Sequence, residues 1–347
     1  MKIMIGIGHP KQVYSWKNIL ENLSSKGHDI KIVVWEKDIT IYLLDIFGIK
    51  YEVVEKNYKG LFKKVYGTIK SEVKLIEIAA RFKPDILVGG APYLAHISKL
   101  FGKPHIFFTD TEHANLSYLM TYPFTDIIIT PSSFLKKISK RHISINGYFQ
   151  LMYLHPNYFK PDSNVLRDLG LSTDDKFIIV RFVAWNAIHD VGEKGFIDGM
   201  KVIDTLKNYG RVFISYEGKM PKELEKYKLK IAPEKFHSLL NYASLYIGEG
   251  GSTATEAALI GTPSIHISTT AKFCGVFDDL SKYNLIYTFD DDHKALEKAI
   301  EILNDPKSKE KWIKRKDTML REKKDVTKFI TELIEGYPES YYLLKKE

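Results

Sequence analysis

The chain has 347 residues, 44% of them apolar and 13% aromatic, the composition of a globular protein too long for one compact core of ordinary size. No apolar run reaches the length of a membrane span and Met1–Ile7 reads as a short buried strand rather than a signal peptide, so residence in the cytoplasm is expected. The formal charge is +8 and there is one cysteine, Cys274, which excludes an internal disulfide and reads as a packing residue rather than a nucleophile.

Ile3 to Ile7 has the pattern of a strand, Tyr14 to Lys26 that of a helix ended by Gly27, and Asp29 to Trp35 that of the next strand. Between the first two lies Gly6-Ile-Gly-His-Pro10. Its glycines Gly6 and Gly8 let a ligand approach the backbone, and His9 stands where an imidazole could take a proton from an acceptor hydroxyl. The same histidine could instead satisfy the helix start. A helix over Ile41–Phe47 closed by Gly48, a strand over Tyr51–Val54, and a helix from about Thr68 to Phe82 follow.

All the excess charge lies in residues 1–164, with 22 basic against 14 acidic residues, while the remainder carries 29 of each. Much of the excess sits in Lys56–Lys70, where Tyr58, Leu61, Phe62, Val65 and Tyr66 interleave with Lys59, Lys63, Lys64 and Lys70. Such interleaving suits an anionic membrane surface or a phosphorylated acceptor. It equally describes a helix with one buried apolar face and solvated lysines. No nucleic-acid module accompanies the charge, so nucleic acid is not an expected partner.

Ile86–Val88 is a strand leading into Gly89-Gly-Ala-Pro92, and His105–Phe108, Ile127–Ile129 and Ile143–Ile145 are further strands. The loop after Phe108 gathers Asp110, Glu112 and His113, two carboxylates and an imidazole that could supply acid and base, or form a solvated cluster. Strands separated by helical patterns imply a parallel sheet covered on both faces. Leu154–Asp162 is aperiodic and Pro-marked, as expected of a join between domains.

The alternation then restarts: strand Phe177–Phe182, helix Gly195–Tyr209, strand Arg211–Ser215, and a helix within Pro233–Ala243. Arg181 could offer a bidentate fork to phosphate, with His189 and Asp190 orienting or protonating a leaving diphosphate; Arg181 could also pair with a neighbouring carboxylate. The most informative stretch is Tyr246–Ile265. It reads as a strand ending in Gly250-Gly251, a helix opening at Ser252-Thr253, Glu256 within its first turns, and a Gly-Thr-Pro stop before another strand. Small residues and unsatisfied amides at a helix start form a phosphate cradle. Glu256 could reach back as a capping-box partner or forward to the vicinal hydroxyls of a ribose. No lysine follows the glycines, which excludes a Walker loop, and the spacing does not fit a dinucleotide fingerprint. A strand over Ile286–Phe289, a helix over Asp292–Asn304 and a lysine-rich helical tail from Pro306 complete the chain. No pair of His or carboxylate residues has the spacing of a structural metal site, and no metal is expected.

Strand, Gly-Gly-Ser/Thr, helix with Glu, Ala-Ala and Gly-x-Pro together resemble the second domain of GT-B proteins, the nucleotide-diphosphate-sugar site of glycosyltransferases such as the peptidoglycan N-acetylglucosaminyl transferase and of UDP-N-acetylglucosamine 2-epimerases. The whole chain also resembles a GT-B-like prokaryotic family whose activity has not been assigned. The resemblance implies an α/β fold of two Rossmann-like doubly wound parallel-sheet domains facing across a cleft, with ligand at the strand carboxyl ends. The implied division is 1–155 on the acceptor side, 156–320 on the nucleotide-sugar side, and a helical tail over 321–347 crossing back to the first domain. It gives Gly250, Gly251, Ser252 and Thr253 to the diphosphate and Glu256 to the ribose, with Arg181 and His189 bordering the diphosphate. It makes His9 the first choice of general base and Glu112 the second. Gly8, Lys59, Lys63 and Lys64 fall to the acceptor.

The expected activity is transfer of a sugar from a nucleotide-diphosphate donor, a UDP-sugar, to a glycan or lipid-linked acceptor, without a cofactor. A lipid-linked acceptor would bring the protein to the inner membrane face. The loop around Asp110, Glu112 and His113 resembles the His-x-Glu-Ala loop of the 2-epimerases, with the order changed. Two acids of the epimerase pattern are absent: Gly89–Tyr93 stands where an Asp is expected, and only Tyr122–Asp126 stands where Pro-Glu-Glu is expected. That weighs against epimerisation, which remains an alternative beside a non-catalytic nucleotide or glycan binder on the same scaffold.

Overall fold

The computed structural model describes residues 1–55, 61–89, 92–112, 115–183, 199–218 and 220–345, with the backbone alone at 55, 61–69 and 115–117. The chain forms two compact units, one of Met1–Tyr153 with Lys324–Glu347 and one of Leu154–Lys323. The first contains β1 (Lys2–Ile7), α1 (Pro10–Ser25), β2 (Asp29–Trp35), α2 (Thr40–Ile46), β3 (Glu52–Glu55), α3 (Leu61–Phe82), β4 (Ile86–Gly89), α4 (Pro92–Leu100), β5 (His105–Phe108), α5 (Asn115–Thr121), β6 (Ile127–Pro131) and β7 (His142–Ile145). The short helix α6 (Leu151–Leu154) leads into the second unit. That unit has α7 (Asn164–Arg167), β8 (Phe177–Phe182), α8 (Gly199–Leu206), β9 (Arg211–Tyr216), α9 (Phe236–Tyr242), β10 (Leu245–Gly248), α10 (Gly251–Ile260), β11 (Ser264–Ile267), α11 (Gly275–Lys282), β12 (Ile286–Phe289), α12 (Asp292–Asn304) and α13 (Ser308–Glu322). Two further helices, α14 (Val326–Glu335) and α15 (Glu339–Leu344), return to the first unit.

Each unit is one parallel sheet. The first runs β3-β2-β1-β4-β5-β6-β7 and the second β12-β11-β10-β8-β9. Central strands are buried on both faces, which is why Ile3, Met4, Ile5 and Ile7 of β1 form a continuous apolar run instead of alternating. On one face of the first sheet, Met4, Val33 and Leu87 pack with Leu75, Ile78 and Ala79 of α3 and Leu94 and Ile97 of α4. In both units the strand order reverses beside the first strand of the unit, between β1 and β4 and between β8 and β10. Such switch points open a crevice at the strand carboxyl ends.

Glycine fixes the first switch point. Gly89 has φ +132, and a Cβ there would stand 2.7 Å from the Gly6 carbonyl oxygen, so β4 and β1 close on each other backbone to backbone.

Several elements depart from the sequence expectation, among them α5 and α11, which were not expected, and α1, which begins at Pro10 rather than Tyr14. Helix α3 begins at Leu61 rather than near Thr68, so the backbone of the lysine–aromatic stretch is helical from that point. Helix α4 was not expected, because Gly89-Gly-Ala-Pro92 reads as a loop; Pro92 instead occupies the first helical position, where its missing N–H costs nothing. Helix α10 starts at Gly251 with Gly250 as its cap, not at Ser252-Thr253.

The returning helices are tied to the first unit by hydrogen bonds. Thr327 Oγ1 donates to the Met152 carbonyl at 2.9 Å, and the Lys324 amide to the Asn146 carbonyl at 2.7 Å. Glu335 of α14 receives Lys26 at 2.6 Å and His28 Nε2 at 3.1 Å.

Candidate nucleotide site and the loops of the first unit

The second switch point is built from three strands in register. Arg181 of β8 stands opposite Gly248 of β10 and Ser215 of β9. Its guanidinium donates to Ser215 Oγ at 2.6 Å and pairs with the Glu217 carboxylate. The rest of its side chain runs over the glycines of the turn. A Cβ on Gly250 would stand 2.8 Å from both Cδ and Nε of Arg181, and one on Gly248 would stand 2.7 Å from the Arg181 carbonyl oxygen. The glycines therefore make room for an arginine, and the arginine lies at the mouth of a helix.

The turn itself is held from several directions. The Glu249 amide donates to the Arg181 carbonyl at 3.0 Å, and the Glu249 carboxylate, buried, accepts from the Val183 amide at 2.8 Å. His266 Nε2 donates to the Glu249 carbonyl at 3.2 Å. Burial drives the His266 ring down to about 4, so it is neutral at pH 7. Tyr246, fully buried and held protonated well above its ordinary range by that burial, donates its hydroxyl to the Gly250 carbonyl at 3.1 Å. Phe277 stacks on His266 with centroids 4.3 Å apart and lies where a Cβ on Gly251 would collide, at 2.9 Å.

Helix α10 has no side-chain cap, and its first intrahelical bond runs from Ala254 N to the Gly250 carbonyl at 2.9 Å. The amides of Gly251, Ser252 and Thr253 precede that bond and lie at the positive end of the helix dipole. Ser252 is exposed and Thr253 is buried. Every residue from Thr253 to Ile260 is buried.

Glu256 is six residues past the cap, too far for the capping box that the sequence left open, which needs the acid three residues on. It instead meets the imidazole of His237 on α9, with Nε2 3.3 Å from Oε1. His237 was not singled out from the sequence, and nothing in its spacing marks it. Only the packing of α9 against α10 brings the two together, leaving a carboxylate and an imidazole each about one-tenth exposed. Val183 is the last described residue before 199, so His189 lies outside the described residues.

In the first unit, His9 is the N-cap of α1, its Nδ1 accepting from the Lys11 amide at 3.2 Å. The Gly8 amide donates to Gln12 Oε1 at 2.7 Å. Desolvation first, then the Lys37 and Lys11 ammonium groups, hold the His9 ring down to about 4. The ring is neutral at pH 7, with Nδ1 engaged as acceptor and the proton on Nε2. Such an imidazole is a hydrogen-bond donor through Nε2, while the lone pair a general base would use is engaged at Nδ1 by the Lys11 amide.

Lys11, in the first turn of α1, forms an ion pair with Asp110 in the loop after β5. The crowding of carboxylates expected there is thus met by a cation. Glu112 is 4% exposed. Thr109 Oγ1 and the Tyr118 hydroxyl lie 2.8 Å apart, and burial raises Tyr118 to about 12. His113, Lys59 and the side chains of Lys63 and Lys64 lie outside the described residues.

Two doubly wound parallel sheets and this glycine turn define an α/β protein of GT-B fold, a class that includes both UDP-GlcNAc 2-epimerases and glycosyltransferases. Within that class the chain belongs to the family described as "Protein of unknown function (DUF354)", which matches residues 1–337. A relative, the uncharacterized protein MJ0665 of Methanocaldococcus jannaschii, is 22% identical over 279 residues, covering 76% of this chain and 81% of the relative. Among solved structures, the S. aureus MnaA–UDP complex superposes with a TM-score of 0.68 at 14% identity, covering 100% of this chain and 98% of that one. The UDP-GlcNAc 2-epimerase of Neisseria meningitidis bound to UDP-GlcNAc gives 0.67 at 12% identity, over 99% and 100%. The spinosyn forosaminyltransferase SpnP gives 0.64 at 11% identity, over 99% of each chain. Among the described residues no helix is long and apolar enough to cross a membrane.

Proposed function

We propose that the protein is a glycosyltransferase that binds a nucleotide-diphosphate sugar, a UDP-sugar, in its second unit and transfers the sugar to a glycan or lipid-linked acceptor. The observation that carries the reading is the uncapped start of α10. Three amides without intrahelical partners and a guanidinium converge at one glycine turn, which is the arrangement a diphosphate requires. Glu256 would take the vicinal hydroxyls of the ribose, with His237 holding its carboxylate in place. As the glycosidic bond to the diphosphate breaks, negative charge grows on the leaving oxygen. Preorganised amides and Arg181 would stabilise it without reorganisation at that moment.

Deprotonation of the acceptor needs a base. Since His9 is already engaged at Nδ1, Glu112 is the better candidate, and His9 would serve as a neutral donor through Nε2. Solved neighbours carry UDP and UDP-GlcNAc, which supports uracil as the nucleotide's base. Epimerisation of a UDP-N-acetylhexosamine is the second reading, favoured by the superposition on the Neisseria meningitidis 2-epimerase at a TM-score of 0.67 against 0.64 for SpnP and opposed by the two missing acids.

The test is a thermal-shift screen of nucleoside diphosphates and their sugars, followed by mass analysis of the best donor with and without cell lipid extract. A ligand at a hundredfold excess over its dissociation constant stabilises by about 2.7 kcal/mol. Release of UDP only when acceptor is present supports transfer; a new hexosamine epimer without acceptor supports the second reading. Stabilisation with no turnover of any donor would reduce the protein to a binder, and no stabilisation by any nucleotide would remove the reading altogether.

A further inference from the structure

Residues 165–347 carry no net charge excess by sequence, yet the second unit carries a strongly basic groove. A cavity of about 690 Å³ runs along β9, the outer strand of the sheet, and is lined by Lys207, Arg211, Lys226, Lys228 and Lys230 against two carboxylates, Asp168 and Glu225. It shares no residue with the glycine turn.

The wall is formed by the backbone. Lys228 bridges to Ile214 in parallel fashion and Leu229 N donates to the Ile214 carbonyl at 2.8 Å, laying this segment along the edge of the sheet. Side chains two apart in extended backbone share a face, and both Lys228 and Lys230 are exposed.

The charges are not internally spent. Lys207 pairs with Asp204 at 2.7 Å, and Asp168 is already taken by Lys235 at 2.6 Å. Arg211, Lys226, Lys228 and Lys230 form no ion pair among the described residues. Set against only two carboxylates, these cations leave the concavity with an excess of positive charge, and an anionic ligand relieves their mutual repulsion.

We propose that this groove binds an acidic polysaccharide, a chain in which carboxylate-bearing rings alternate with neutral hydroxyl-rich surface. Three observations select that class. The groove is concave with a mixed lining, so Glu225 and Asp168 can accept from hydroxyls while the lysines meet carboxylates. A nucleic-acid strand carries a charge about every 3.4 Å along its axis and would bring phosphates against those two acids. Its bases would also find no open ring. Arg211 already covers Phe213 and Lys226 covers Tyr227, each with its cation 4.9 Å from the ring centre, whereas single-strand binders offer free aromatic faces. A membrane surface is disfavoured because the lysines line a concavity rather than flank an exposed apolar stripe.

The experiment is affinity electrophoresis of the full chain through gels containing polygalacturonate, dextran or no polymer, with a competing single-stranded oligonucleotide in a parallel titration. Wild type is expected to be retarded by polygalacturonate at low salt, not by dextran, and less tightly engaged by the oligonucleotide. K228E/K230E should weaken retardation at least about tenfold, and K228Q/K230Q by an intermediate factor, as expected for charges that set electrostatic complementarity. Both pairs sit at exposed positions, and stabilisation by UDP should be unchanged in both, so failure of this proposal and failure of the donor-site reading give different results. Equal retardation by dextran, unchanged retardation of both variants, or tighter binding of the oligonucleotide would overturn it.

Discussion

Both units place glycine at the point where strand order reverses, and they do so for different reasons. In the first, Gly89 clears the Gly6 backbone, so two strands meet with nothing between them. In the second, Gly250 clears the Cδ and Nε atoms of Arg181, so a charged side chain passes the uncapped start of a helix on its way to Ser215 and Glu217. The start of α1 offers a further contrast, since His9 caps it with its own ring nitrogen. A helix start already capped has little left for an anion; one left open beside a guanidinium has a great deal. The comparison assigns close packing to the first crevice and leaves the second open for the anion binding proposed above.

The largest expected effect tests the packing half of that contrast. Gly89→Ala places a Cβ against a carbonyl in a backbone region that L side chains rarely adopt, and should cost about 3 kcal/mol, read as a fall in the urea midpoint. A neutral result would mean that β1 and β4 can part freely. Next, Glu256→Gln should weaken UDP binding by about tenfold, or about 1.4 kcal/mol, with the native melting temperature nearly kept. His237→Ala should give a smaller loss in the same direction, and unchanged affinity in both would detach α10 from the nucleotide.

A smaller effect separates the two uses of glycine in the second unit. Gly250→Ala should destabilise because it collides with Arg181, and Arg181→Ala should remove most of that penalty. The coupling should be about 1 kcal/mol in a double-mutant cycle. At Gly248 the collision is with the Arg181 carbonyl, so the same truncation should rescue nothing.

The smallest effect is a pH dependence. His105 in the first unit is held near 3 and His266 in the second near 4, both by burial. Their folded values lie below the unfolded 6.5, so the unfolded chain binds more protons between the two. Stability should be complete above about pH 6.5 and fall as pH drops toward 4. His266→Gln should flatten part of that fall, seen in acid titration of the unfolding midpoint. His9→Ala should cost about 1 kcal/mol as a lost cap and leave UDP affinity unchanged.

Much of the architecture could be read along the chain because parallel strands buried on both faces are written as continuous apolar runs. Phe177–Phe182, His105–Phe108 and Ile286–Phe289 stand at the expected bounds. Elements without that signature were harder. Helix α4 hides behind a Gly-Gly-Ala-Pro prefix, and α10 starts a residue earlier than its hydroxyls suggest, because a glycine can serve as a cap without a side chain. The glycine turn and Glu256 were legible as a local pattern. The partners that define their state were not: Glu217 lies 36 residues from Arg181 and His237 lies 19 residues from Glu256 in the chain.

The amino-acid sequence by itself determined the α/β class, the two-sheet organisation and the glycine turn that opens a helix near Gly250, since each depends on periodicity or on residues adjacent in the chain. Only the tertiary structure decided that Arg181 fills the space the glycines leave, that Glu256 is met by His237, that His9 is a neutral cap, and that scattered lysines gather along β9. Those outcomes depend on which strands lie side by side and which helices pack, and a linear charge count that sums to zero holds no record of where in space its charges meet.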